Sequence, residues 1–216
     1  LFSTTMPVFA ELSVVEKAEV KKAYEAGATI RKGMRALVEA VKAGTTPESR
    51  AALATAQTAY LRVYSPMMLA ALYLSHSSTS ANGAPEAFLI DCLNLGHKNE
   101  PRSAWLNCAR RARSMALERV QPARSAILGA KTHNRTAAAY QRSLTAAIEH
   151  LDRAATTLLG IDVTLPYADP SPATEVTMSG LAPGNTVAAG RLIGPHGPFT
   201  YTMQQLGRAF AEYSMQ

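Results

Sequence analysis

The stretch from Ala59 to Leu74 reads AYLRVYSPMMLAALYL, and thirteen of its sixteen residues are apolar. No other part of the 216-residue chain is as apolar over such a length. Burying apolar surface is favourable by about 25 cal/mol per Å², so the flanking sequence is read first as what covers this run. Membrane insertion is the competing reading. From Val63 to Leu74 there are twelve residues, short of the roughly 20 that a spanning helix needs. Extension upstream brings in Arg62, Gln57 and Thr55. The stretch therefore reads as a buried core helix, with Pro66 predicting a kink or break near Tyr64–Ser65.

Amphipathic segments lie on both sides. Ser13 and Glu16 have capping-box spacing, and the helix they open is predicted to run to Ala43, before Gly44. At 100° per residue, Val20, Tyr24, Gly27, Ile30, Met34, Leu37, Val38 and Val41 fall on one side, and Lys17, Lys21, Glu25, Lys32 and Glu39 opposite. Gly27 on the inner side permits close approach of another helix. Thr46-Pro47-Glu48 opens the helix that carries the apolar run. A polar loop follows it, then a short helix over 85–95. Pro101 opens a helix to Val120 with Trp105, Cys108, Ala112, Met115 and Ala116 on one face, bent or restarted at Pro122 and closed at Gly129. Asn134 is the predicted cap of a helix to Leu159, with Tyr140, Leu144, Ala147, Ile148, Leu151, Ala155 and Leu158 as its inner stripe.

After Ile161 the helical period disappears and Pro and Gly punctuate the chain, which predicts an extended arm lying on something else. A short amphipathic helix over 201–213 ends it. The expected fold is thus all-α: an irregular bundle of about five helices with a long Pro/Gly-rich C-terminal arm. Residues 1–12 form an extended leader, 13–160 the helical domain and 161–216 the arm. Tyr167, Phe199, Tyr201 and Phe210 are the arm's expected contact residues. Helices of nearly thirty residues do not fit solenoid repeats of 33–35.

Charge is unevenly distributed. The net charge is +6, yet Arg102 to Arg142 alone carries nine bases against Glu118, a balance of +8. The remaining thirteen bases and fifteen acids give −2. One region is basic rather than the whole chain, which suits an acidic protein surface, anionic lipid heads or RNA phosphates. Arg102, Arg110, Arg111, Arg113 and Arg124 are the candidate contacts. Single-strand RNA binding usually adds exposed aromatics, whereas Trp105 projects onto the apolar face, away from the arginines.

Catalytic and metal signatures are missing from the sequence. CxxC, HExxH, phosphate-loop, GxSxG and EF-hand patterns do not occur. None of the five histidines has a ligand partner at metal-binding spacing. In the Gly190–Pro198 stretch, Pro195 and Pro198 remove the N–H groups that an anion cradle uses. Cys92 and Cys108 read as thiols on apolar faces.

These features predict a non-catalytic accessory subunit without cofactor or small-molecule substrate. The expected setting is a large mitochondrial assembly, on the matrix side or at the inner membrane, with ATP synthase or a respiratory complex preferred. The start LFSTT reads as the end left by presequence removal. Only 18% of residues are charged, which favours this setting over a mitochondrial ribosome. An RNA-binding mitoribosomal protein is the first alternative. A small helical enzyme with a site around Tyr64, Tyr73 and His76 is the second.

Overall fold

The computed structural model describes residues 14–44, 46–79, 102–161, 189–194 and 197–214. The predicted leader, the 85–95 helix, Cys92 and Tyr167 lie outside them. The described residues form six helices and one hairpin: α1 (Val14–Ala43), α2 (Pro47–Thr79), α3 (Arg102–Glu118), α4 (Val120–Lys131), α5 (Ala138–Leu159), strands β1 (Ala189–Gly194) and β2 (Gly197–Thr202), and α6 (Met203–Ser214). The fold class is all-α, as the sequence predicts.

The apolar run is the hub. From Tyr60 to Leu74 every side chain except that of Arg62 is buried. Helix α2 packs against α1, α3, α4 and α6, while α1 lies mainly along α5 and α4 packs on α5. Burial on all sides explains why the run has no polar face. Of the kink or break predicted near Tyr64–Ser65, the break does not occur: the helix is continuous through Pro66, although Pro66 deprives the Arg62 carbonyl of its N–H partner. Among the described residues no helix is long and apolar enough to cross a membrane.

Tyr60 joins α2 to α1. Its hydroxyl donates to the Ile30 carbonyl at 2.9 Å, inside the core. The phenol fits because position 33 is glycine: a Cβ there would run into the Tyr60 hydroxyl. The buried seam of α1 is accordingly built from small residues, Ala23, Ala26, Gly27, Gly33 and Ala40, around Ile30 and Leu37. Val38, expected inside, is 44% exposed. The seam is narrower and turned relative to the stripe of large apolar residues.

Several boundaries also differ from expectation. The α3 helix ends at Glu118, and Arg119 serves as the N-cap of α4. Pro122 therefore sits in the first turn of α4, where a missing N–H costs nothing. Gly129 does not close α4. The chain turns at Thr132, whose N–H and hydroxyl both donate to the Gly129 carbonyl, at 3.1 and 2.7 Å. Asn134 is not the cap of α5, which starts from Ala137 without a side-chain cap. The intervening turn is fixed instead by Gln141 Nε2, which donates to the Lys131 and Asn134 carbonyls, and by the Tyr140 hydroxyl, which donates to the Ala130 carbonyl at 2.8 Å. Thr46 caps α2 as predicted, accepting from the Ser49 N–H at 3.1 Å.

The inner stripes of α3 and α5 are buried as read from their period. Trp105 is fully buried, with its ring 5.9 Å from that of Tyr73. Cys108 is a buried free thiol.

Part of the C-terminal arm pairs with itself. Strands β1 and β2 are antiparallel, with Ala189 opposite Thr202 and Gly194 opposite Gly197. The absence of clear alternation in 189–202 hid this hairpin from the sequence reading. A capping box then opens α6: the Gln205 N–H donates to the Thr202 hydroxyl at 3.1 Å, and the Thr202 N–H donates to Gln205 Oε1 at 2.8 Å. The helix buries Leu206, Ala209 and Phe210. The Phe210 ring lies 5.3 Å from that of Tyr24, with the Arg31 guanidinium carbon 5.5 Å from its centroid. A Cβ at Gly27 would come within 2.6 Å of Phe210 Cε2, so this glycine admits an aromatic ring of α6 to the surface of α1.

Candidate functional site

The C-terminal end of α5 gathers the chain's most informative polar contacts. The last turn of any helix leaves carbonyls without helix partners, and the dipole makes that end negative. Here cations from two other helices meet them. Arg113, on α3, donates through Nε to the Leu158 carbonyl and through Nη2 to the Leu159 carbonyl, both at 2.9 Å. Lys22, on α1, reaches the Gly160 carbonyl at 3.4 Å and pairs with Glu19 at 2.7 Å. The backbone N–H groups of Gly160 and Ile161 close back on Thr156, Thr157 and Leu158. A cavity of about 10 Å³, the size of one water, lies against Arg113 and is otherwise lined by apolar side chains such as Ala23, Leu74 and Ile161.

Beside this end lies an open groove of about 410 Å³, where the α3–α4 junction faces α5. Leu117, Val120, Ala155 and Leu159 give it apolar walls, and Gln121, Asp152 and Thr156 its polar ones. Leu159 is 61% exposed, the most exposed large apolar residue among those described. At the far end of the groove Arg124 Nε lies 3.3 Å from Asp152 Oδ2, a half-exposed ion pair.

The five arginines singled out from sequence therefore divide. Arg113 binds helix-end carbonyls and lines the small cavity, and Arg124 binds Asp152, so each is bonded to a residue of the groove without lining it. Arg110 and Arg111 are half-buried on α3. Arg102 begins α3, and its side chain lies outside the described residues. Of the arm residues, Phe210 sits on α1, Phe199 and Tyr201 occupy β2 with undescribed side chains, and Tyr167 is undescribed. The sequence reading missed Asp152, Leu159 and the groove itself. An exposed leucine in the last turn of a helix was the one available signal.

The residues suggested for an enzyme site do not converge. Nine residues separate Tyr64 from Tyr73, which is about half a turn plus two full turns of α2, so they project to opposite sides of it. Tyr73 stacks on Trp105, whereas Tyr64 faces Arg31 and Arg35. Burial raises the Tyr64 phenol above its ordinary range and those two guanidinium groups pull it back. The side chain of His76 is undescribed. His150, on α5, is held below the usual histidine range, first by burial and then by Arg153 and Lys32, with Glu149 opposing. Its Nδ1 is buried without a hydrogen-bond partner. Among the described residues no cluster of His, Cys, Asp or Glu could hold a metal ion. Trp105 is unavailable for base stacking because it is fully buried.

No protein-family model, curated protein or solved structure matches this chain.

Proposed function

We propose that this chain is a non-catalytic accessory subunit of a larger protein assembly and acts through its surface. The observation that carries the reading is Leu159, 61% exposed in an open groove between α5 and the α3–α4 junction, with Arg113 bonded to its carbonyl. Together with the half-buried Leu117 it offers apolar surface beside the fixed Arg113, a setting that supports covering by a partner. The preferred assembly is a mitochondrial inner-membrane energy-transducing complex, ATP synthase or a respiratory complex. That setting rests on the low charged fraction of 18% and on Ala-rich helices that pack closely.

Migration of the endogenous chain on native gels in mild detergent tests the reading. It is expected to run with a complex many times its own 23.1 kDa mass. A free species of about that mass would remove the subunit reading.

A further inference from the structure

We infer that the groove between the α3–α4 junction and the C-terminal half of α5 receives an acidic amphipathic helix from a neighbouring subunit, an inference that rests on the subunit reading above. Three features of the groove specify this occupant. Its length comes first. From Asp152 to Leu159 the α5 wall runs seven residues, about 10 Å, or two helical turns. Second, the walls are apolar between the ends: Leu117 and Val120 on one side, Ala155 and Leu159 on the other. An occupying helix would set apolar residues at i and i+3 or i+4 into it.

Third, a guanidinium is bonded to the lining residue at each end, although neither arginine lines the groove itself. Arg113 is fixed by its two carbonyl bonds to the end of α5, and lies one turn from Leu117 on α3. Arg124 is fixed by Asp152, and lies one turn from Val120 on α4. Arginine carries five N–H donors. Two are engaged at Arg113 and one at Arg124, which leaves donors on both for a carboxylate. Because the groups are already ordered, little further side-chain entropy is lost on binding. Two carboxylates seven residues apart on a helix are separated by about the same 10 Å.

Local charge agrees. Arg110, Arg111, Arg113, Arg119, Arg124 and Arg153 stand in this part of the chain against Glu118, Glu149 and Asp152, a surplus of three bases in which the Arg124–Asp152 pair cancels itself. The α5 carbonyls that would repel an acid are those that Arg113 covers.

The test is site-specific photocrosslinking. A photoreactive phenylalanine analogue is placed at Gln121 or Thr156, both exposed groove residues, in the full chain expressed in its own cells. The assembly is isolated and the crosslinked peptide sequenced. The expected product is one segment of another subunit with helical apolar spacing and acids outnumbering bases. Arg124→Gln and Leu159→Gln should each lower its yield by about tenfold, the effect of losing one anchor worth ~1.4 kcal/mol. Arg142→Gln, ten residues before Asp152 on α5, should leave it unchanged. Crosslinks to a basic or neutral segment, to RNA, to lipid, to a second copy or to this chain's own residues 162–188 overturn the inference. So does an assembly that contains the chain but yields no crosslink, and that outcome leaves the subunit reading standing. A chain that migrates alone removes the subunit reading instead.

Discussion

Gly33 shows how much one missing methyl decides. Its bare Cα makes room for the Tyr60 ring, and the ring's hydroxyl meets the Ile30 carbonyl one turn earlier on the same helix. Gly33→Ala forces the phenol away and breaks that bond, so a loss of about 1–3 kcal/mol is expected in urea unfolding. Gly129→Ala is the control. Nothing lies within 4 Å of a Cβ at that exposed helical position, so alanine should stabilise by ~0.5–1 kcal/mol. Equal losses at both sites would refute the steric account. Tyrosines also set an alkaline limit. Burial raises Tyr60, Tyr64 and Tyr140 above their ordinary range, and the neighbouring Tyr64 phenol adds to the rise at Tyr60. For an acid raised in the folded state, the stability is complete below the unfolded pKa and is lost above it. Stability should therefore fall above about pH 10, by ~1.4 kcal/mol per pH unit for each such tyrosine. Tyr60→Phe should make the slope shallower by about one proton, and an unchanged slope would show that Tyr60 ionises freely.

Among the elements, α6 is held differently from the rest. It rests on α2 and on the Gly27 notch through Leu206, Ala209 and Phe210, and it continues directly from β2 rather than from another helix. Phe210→Ala removes the ring that fills the notch, a change that costs about 3–5 kcal/mol when a buried phenylalanine is truncated. Amide exchange should then lose protection over residues 203–211 while α5 keeps its own. Loss of protection in both would mean that α6 is built into the cooperative core. How much of the elements could be read from sequence depended on which residues carry the signal. Helices α3 and α5 were legible because Trp105, Met115, Leu144 and Leu151 mark one face with bulk. The α1 seam was only partly legible, because Ala23, Ala26, Gly33 and Ala40 bury themselves without looking hydrophobic, whereas Val38 looks hydrophobic and stays outside. The groove was illegible for another reason. Arg113 finds its acceptors 45 and 46 residues away and Arg124 its carboxylate 28 away. A count of charges along the chain carries no such separation.

At the scale of the whole molecule, α2 ties the helices into one unfolding unit. Leu69 is fully buried in it. Leu69→Ala should cost about 2–5 kcal/mol. Fluorescence of Trp105, the single tryptophan, and far-UV circular dichroism should report that loss in one coincident transition. Two separated transitions would mean that α3 and the α1–α5 pair unfold independently. The same central helix sets a problem of timing. Residue 118, the end of α3, leaves the ribosome 39 residues after residue 79, the end of α2. At roughly 5–20 residues per second, α2 waits about 2–8 s with α1 alone among the helices it packs on. Throughout that interval the surfaces destined for α3 and α4 face water, long after a hydrophobic collapse could have paired them wrongly. The residues that make α2 the centre of the finished bundle thus make the nascent chain a client for holding chaperones until its later helices arrive.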